Sequence, residues 1–443
     1  MSALRWVSWF LTAAMALHAE FPGAIAIRDA RVVTVSGPVL QRGTVLIRNG
    51  LIEGAGAGIA IPSDAWVIDG TGLTVYPGLI DALGPTGIVS APAPPPGPAA
   101  SARGAGAAAR PADVPLTKGP EDRPSNNSWI RAADLIDPGD TRISAARNAG
   151  FTSAVAVPGG SIFSGEAAFL NLAGSRKSRM VVAAPVAQYV TMDRRGYAGE
   201  FPASLLGSIA YVRQVILDAG NYKLEKAAWD RHAAGARRPD YDRALEGFLE
   251  CPRVLLPARS AVEIERMIRF AAELKTPAVI YGAPEAYGAV EFIARTKVPV
   301  LLSLNWPARA RDSDPDAPVS LRTLELWDRA PSSAAELAKA GARFAFYLDG
   351  TALRDLPKAV KRALDAGLSR ADAVRAFTLS AAEIYGLDDR LGSIEKGKMA
   401  NLIVTDGELF QEGTRLKYIF VDGAKYEPDP PEPPAPAARG GAE

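Results

Sequence analysis

The chain predicts an α/β fold: a (β/α)8 barrel of the TIM type, carrying a small β-rich domain formed by both chain ends. Three observations predict it. The middle of the chain alternates short β-branched runs with helical stretches, which is the pattern of a parallel sheet with crossover helices. Both ends are rich in short strands. The length of 443 residues suits one large domain plus a small one.

At the N-terminal end, Ala24 to Ile27, Ala30 to Val35, Gly43 to Ile47 and Trp66 to Ile68 read as strands separated by Gly, Asn or Asp turns. Asn49-Gly50 is a hairpin signal, because both residues readily take positive φ. Near the other end, Asn401 to Thr405 and Tyr418 to Val421 read alike, with Asp422-Gly423 as a turn. The two β-rich ends are expected to join as one small domain, 24–76 with 395–426, leaving 77–394 as the barrel.

Within 77–394 the alternation runs in order. A helix from Asp140 to Ala149 precedes a strand from Thr152 to Val157. Arg253 to Leu256 leads into a helix from Ala261 to Leu274, and Ala278 to Tyr281 into one from Ala286 to Thr296. Val298 to Leu304 is strand-like, Ala334 to Ala340 helical, and Arg343 to Leu348 a strand. Residues 90–125 are dominated by Ala, Pro and Gly and read as a disordered insertion, since they offer too little side chain to offset the entropy of ordering. Residues 427–443 read as a Pro-rich disordered tail.

Composition narrows the function classes. Hydrophobic residues make up 48% and charged residues 22%, a globular balance. Lys+Arg 50 against Asp+Glu 49 gives a net charge of +1, and no basic run with interleaved aromatics points to nucleic acid. Arg5, the apolar stretch Trp6 to Leu17 and Ala19 have the layout of a signal peptide over 1–19, so the chain is expected to be exported, periplasmic or extracellular. That stretch is short for a bilayer, and no membrane span is expected in the mature chain. Cys251, the single cysteine, excludes an intramolecular disulfide and reads as a core-packing residue.

The run Asp69-Gly70-Thr71-Gly72-Leu73-Thr74-Val75-Tyr76-Pro77-Gly78-Leu79-Ile80-Asp81 resembles the start of the barrel in the amidohydrolase superfamily. Ala373 to Thr378, Ala381-Ala382-Glu383-Ile384 and Gly386 to Ala400 resemble that family's closing segment, most specifically over Asp388 to Lys398. Ala149 to Thr152 and Val157 to Gly160 look like the subgroup related to imidazolonepropionase. The resemblance spans about Ile25 to Asp422, apart from the insertion. It implies a distorted (β/α)8 barrel with a small β-sandwich made from both chain ends, and zinc or another divalent metal at the barrel mouth, held mostly by imidazoles, which lowers the pKa of bound water. The resulting hydroxide attacks an amide-like or ester-like carbon while an aspartate at the end of the last strand moves the proton.

The positions that the resemblance assigns to metal ligands are changed in this chain. Leu83 and Pro85 stand in place of the first-strand His-x-His pair, Pro257 and Gly282 in place of the later histidines, and Asn171 near the bridging lysine. Asp349, in Phe346-Tyr347-Leu348-Asp349-Gly350, matches the last-strand aspartate and is the catalytic candidate. The chain has two histidines, His18 in the expected signal peptide and His232 in a charged, surface-like segment. A histidine-rich metal centre is therefore excluded by counting, and no cofactor is expected. Asp81 reads as a structural hydrogen-bonding residue at a strand end, and Glu166 as a rim residue near the open end.

Three functions follow as expectations. The first is a non-catalytic homologue that binds a small molecule or a partner protein, a homodimer being one arrangement. The second is an active hydrolase of non-peptide C–N bonds with a carboxylate-based or metal-free site. The third is a structural or interaction protein working through its Pro-rich segments.

Overall fold

The computed structural model describes residues 23–89, 123–192, 202, 204–310, 312–314 and 316–429. The expected signal peptide with His18, most of the 90–125 insertion and most of the 427–443 tail lie outside the described residues.

The N-terminal strands are β1 (Ala24–Val32), β2 (Leu40–Arg48), β3 (Leu51–Gly56), β4 (Ala65–Asp69) and β5 (Thr74–Pro77). Asn49 and Gly50 take φ of 52° and 80°, the hairpin conformation expected between β2 and β3. From the C-terminal end come β14 (Leu402–Thr405), β15 (Leu416–Val421) and β16 (Ala424–Tyr426). The ladders connect all eight strands of the two chain ends, in the order β16-β15-β14-β5-β1-β2-β3 with β4 also on β1. The link is β5, parallel to β1 and antiparallel to β14, so the two chain ends join through one ladder. One side of this sheet buries Ile27, Val45, Val75, Val404 and Phe420.

The second sheet forms the barrel wall. Its strands are β6 (Leu79–Gly84), β7 (Phe151–Ala156), β8 (Phe163–Asn171), β9 (Val181–Val190), β10 (Val254–Ala258), β11 (Ala278–Gly282), β12 (Val300–Ser303) and β13 (Phe344–Tyr347), hydrogen-bonded in chain order. The barrel is nearly closed: no ladder joins β6 to β13, but the Leu348 amide donates to Asp81 Oδ1 at 3.0 Å across that seam. The distortion is specific. β8 runs antiparallel to both β7 and β9, while the other seven strands share one direction. Only residues 157–162 separate β7 from β8, too few for a crossover back to a parallel start.

Helices cover the wall: α1 (Thr141–Asn148), the single turn α2 (Lys177–Met180), α3 (Leu205–Arg231), α4 (Arg243–Glu250), α5 (Ala261–Glu273), α6 (Val290–Thr296), α7 (Leu321–Arg329), α8 (Ser332–Lys339), α9 (Leu356–Asp365), α10 (Arg370–Phe377) and α11 (Leu379–Tyr385). Their start signals are local. Ser260 and Glu263 form a capping box on α5, and Asp242 accepts from two amides at the start of α4. The 27-residue α3 was not expected; Val212, Val215, Ile216, Ala219 and Tyr222 form its buried face. Among the described residues no helix is long and apolar enough to cross a membrane. Arg123 to Ser125, expected inside the disordered insertion, are placed: Arg123 pairs with Asp218 at 2.7 Å and Asp242 at 3.1 Å, anchoring the chain as it returns to the wall.

Candidate functional site

Neighbouring residues in a parallel ladder point to the same face, so one lumenal residue fixes the others. Leu255 pairs with Val279, Tyr281 with Leu301, and Leu301 with Ala345, all within one buried cluster inside the barrel. From β8, Ala167 and Phe169 join it. The base is closed by α11. Tyr385 reaches up from it, donates its hydroxyl to the Ala82 carbonyl at 2.7 Å, and meets the Phe169 ring edge-on at 6.3 Å. Arg253, just before β10, hydrogen-bonds the Ile384 carbonyl, which places α11 at the end where the parallel strands begin.

The mouth lies at the opposite end, where the parallel strands finish and barrel sites ordinarily sit. Asp81 on β6 is buried there, and its carboxyl accepts the amides of Leu348 and Leu83. Burial pushes its pKa up to about 7, the amides pull the other way, and the negative charge of Asp349 adds to the rise. Asp349 follows β13 with φ of 49°, an exposed residue in the left-handed region that Asp tolerates. Ser303 Oγ donates to Asp349 Oδ2 at 2.7 Å and also accepts the Asn305 amide at 3.0 Å. Asn305 Nδ2 donates to the Asp349 carbonyl at 3.3 Å.

Three tyrosines share this end of the lumen. The rings of Tyr189 and Tyr281 lie 5.4 Å apart at 43°, and Tyr281 donates its hydroxyl to the Val190 carbonyl at 3.0 Å. Tyr347 is the register partner of Ser303, next to Asp349. Burial raises the Tyr281 and Tyr347 phenols well above their ordinary value, and Asp349 adds to both shifts. None of these tyrosines, nor Ser303, was singled out from the sequence. Counting alternate residues along Ala278-Val279-Ile280-Tyr281 would have found one of them, since Val279 and Tyr281 share the lumenal face.

Of the sequence-assigned positions, Leu83 is buried in lumenal packing and Pro85 is exposed just beyond β6. Pro257 is the register partner of Tyr281 and shares its lumenal face. Gly282, assigned to a histidine position, falls on the other face from Tyr281. Its φ is 95°, and a Cβ there would meet the Ala258 carbonyl oxygen at 3.1 Å. Tyr281, not Gly282, is the mouth-facing residue of β11.

Two positions need correction. Asn171 ends a strand that runs backwards, so it pairs with Ser153 near the start of β7, at the base and far from the mouth. There it is buried, its Oδ1 accepting from Asn401 Nδ2 at 2.7 Å and from Ser153 Oγ at 3.1 Å, which ties barrel to small sheet. Glu166 is not on the rim. It alternates with the lumenal Ala167, pairs with Gln188, and is buried outside the wall near Arg131, Glu250 and Cys251. Burial and the nearby Glu250 push its pKa up to about 7, against the pull of Arg131. Burial also raises the Cys251 thiol, which lies 3.6 Å from Gln188 Oε1 and is held away from the thiolate a nucleophile needs. His232 caps the end of α3, exposed.

The residues present do not fit a divalent metal at the mouth. Leu83 and Pro257 carry no donor atom, the Tyr281 hydroxyl is engaged by Val190, and Gly282 faces away. Among the described residues no group of three or more His, Cys, Asp or Glu side chains converges to hold an ion.

A family model described as the amidohydrolase family matches residues 331–429, from α8 through β13 into the small sheet. No curated protein matches. Among solved structures, an amidohydrolase from Thermotoga maritima superposes with a TM-score of 0.73 at 24% identity, covering 91% of this chain and 100% of that one. A Xaa-Pro dipeptidase with methionine bound in its active site gives 0.52 at 14%, covering 91% and 100%. Molinate hydrolase gives 0.50 at 15%, covering 92% and 95%. At these identities the likeness is one of fold. The closing segment thus matches the amidohydrolase family model, and the chain as a whole shares the fold of these solved structures.

Proposed function

We propose that this chain is a non-catalytic amidohydrolase homologue whose barrel mouth binds a small molecule. One observation carries the reading. The lumenal positions nearest the mouth on β6, β10 and β11 hold Leu83, Pro257 and Tyr281, so the space a metal centre needs is filled with carbon and an engaged hydroxyl. A fold does not confer a reaction; the site does. What the mouth retains is a polar rim of Asp349, Ser303 and Asn305 over an aromatic floor, a mixture that suits recognition of a small ligand. Metal analysis of protein purified without chelator tests this. The expected result is substoichiometric metal with a ligand-dependent thermal shift that Asp349→Ala diminishes; a full equivalent of bound metal would overturn it.

A second reading is supported by the carboxyl pair. Asp81, pushed up to about 7, near the exposed Asp349 offers an acid and a base at one mouth, as a metal-free hydrolase of non-peptide C–N bonds requires. Turnover of cyclic or linear amide substrates by chelator-treated protein, abolished in Asp349→Asn, is the result that would establish it. Absence of turnover in the wild-type chain would remove it.

A further inference from the structure

The mouth combines aromatic faces with negative charge, and among the described residues no cation is paired with its two carboxyls. Tyr281 directs its hydroxyl to the Val190 carbonyl, so its ring rather than its oxygen is available beside Tyr189. Tyr189, Tyr281 and Pro257 each keep part of their surface open, while Tyr347 is buried beneath Asp349. Among the described residues neither Asp81 nor Asp349 is in an ion pair; their partners are backbone amides, Ser303 and Tyr347. Burial raises both the Tyr281 and Tyr347 phenols, and the negative charge of Asp349 adds to each.

An anionic ligand would meet those two carboxyls, neither of which is paired with a lysine or arginine among the described residues. A hard divalent ion lacks a converging oxygen set. An organic cation meets neither obstacle. Its charge sits over the negative face of the rings, its alkyl groups displace water from carbon, and a carboxylate balances it. We infer that the mouth takes an alkylammonium group, held against the Tyr189 and Tyr281 rings and countered by the Asp349 carboxylate. This rests on the mouth-binding reading above and names the chemistry of its ligand.

The probe is tetramethylammonium chloride, compared by calorimetry on the full chain with tert-butanol, a neutral molecule of similar shape, and with sodium chloride at equal ionic strength. Saturable binding of tetramethylammonium alone is expected. Asp349→Asn, which keeps the left-handed backbone and the Ser303 contact, weakens it at least about tenfold, the order expected for losing a charge partner. Tyr281→Leu weakens it, whereas Tyr281→Phe, which keeps the ring, restores it. Equal binding of tert-butanol and tetramethylammonium, or unchanged affinity in Asp349→Asn, overturns the cation inference. A neutral or anionic compound that binds and is lost in Tyr281→Leu overturns it too, yet leaves the mouth as a ligand site. Stoichiometric metal in the purified chain sinks the mouth-binding reading itself.

Discussion

Asp81 Oδ1 and the Leu348 amide, 3.0 Å apart, join the first and last strands of a barrel whose ladder leaves that seam open. A buried carboxyl that closes a wall must stay buried, and burial disfavours its charged form. The folded pKa of about 7 lies above the ordinary 3.8, so the native state holds the proton more tightly than the unfolded chain does. Stability from this group is complete below the unfolded pKa and is lost as pH rises towards about 7, at up to ~1.4 kcal/mol per pH unit. Glu166, also raised to about 7, adds a slope of the same sign. The groups facing Asp81 are Asp349, Tyr347 and Tyr385, and burial holds both phenols well above their ordinary value. Urea midpoints taken between about pH 5 and about pH 8 should therefore fall for the wild type, fall less for Asp81→Asn, and be flattest in Asp81→Asn with Glu166→Gln. An unchanged slope in the single variant would mean that Asp81 is ionised throughout.

Restoring imidazoles does not restore a metal centre. Leu83→His with Pro257→His places two rings in a lumen already holding Tyr189, Tyr281 and Tyr347. Gly282→His starts from a φ of 95° and from a Cβ pressed on the Ala258 carbonyl oxygen. Each unpaired buried imidazole costs ~1–3 kcal/mol. The expected triple variant melts earlier than wild type and, after dialysis against zinc, carries less than one equivalent by elemental analysis. A full equivalent would mean that the tyrosines move aside.

The base of the barrel makes an independent prediction. Asn401 Nδ2 donates to both Ser153 Oγ and Asn171 Oδ1, while Asn401 Oδ1 accepts the Asp422 amide at 2.8 Å. Asn401→Ala leaves several buried polar groups without partners, at ~1–3 kcal/mol for each. Its denaturation midpoint should drop clearly, while ligand response at the mouth in the surviving folded protein stays unchanged. Altered mouth binding with no loss of stability would contradict a purely structural role.

The parts of the fold legible in the sequence are those where backbone geometry restricts the residue. Gly392 has φ of 92° and a would-be Cβ 2.9 Å from Ala382 Cβ, and Gly397 has φ of 90°. Such positions keep their glycines, which is why Asp388 to Lys398 could be recognised. Strand direction is not written in side-chain chemistry. The continuous buried run Phe163–Asn171 identifies β8 as a strand, but only the shortness of 157–162 hints that it runs backwards. That reversal carried Asn171 from the mouth to the base. The helix α3 was obscured because Leu206, Leu217 and Leu224 are exposed opposite its buried face, which blurs the apolar period. The aromatic mouth was missed for a different reason: the resemblance directs attention to missing ligands, and Tyr189, Tyr281 and Tyr347 stand at lumenal positions it does not single out.

The Pro77-Gly78 step has a stronger physical claim than resemblance. Gly78 passes from β5 into β6, and its amide donates to the Asn401 carbonyl at 2.8 Å, holding the two sheets together. A Cβ at Gly78 would lie 2.1 Å from Thr152 Oγ1 and 2.2 Å from its Cγ2. Thr152 is fully buried on β7, so its side chain has no free space into which to turn. Gly78→Ala must therefore push β6 away from β7 or drive Thr152 off its rotamer, at ~1–3 kcal/mol or more. Thr152→Ser removes the Cγ2 contact, and Thr152→Ala removes Cγ2 and Oγ1 together. Thermal melts should show Gly78→Ala strongly destabilised, a partial recovery when Thr152→Ser is added, and a larger recovery with Thr152→Ala. Equal stability of Gly78→Ala in all three backgrounds would show that the clash is relieved elsewhere and that this glycine answers to something other than Thr152.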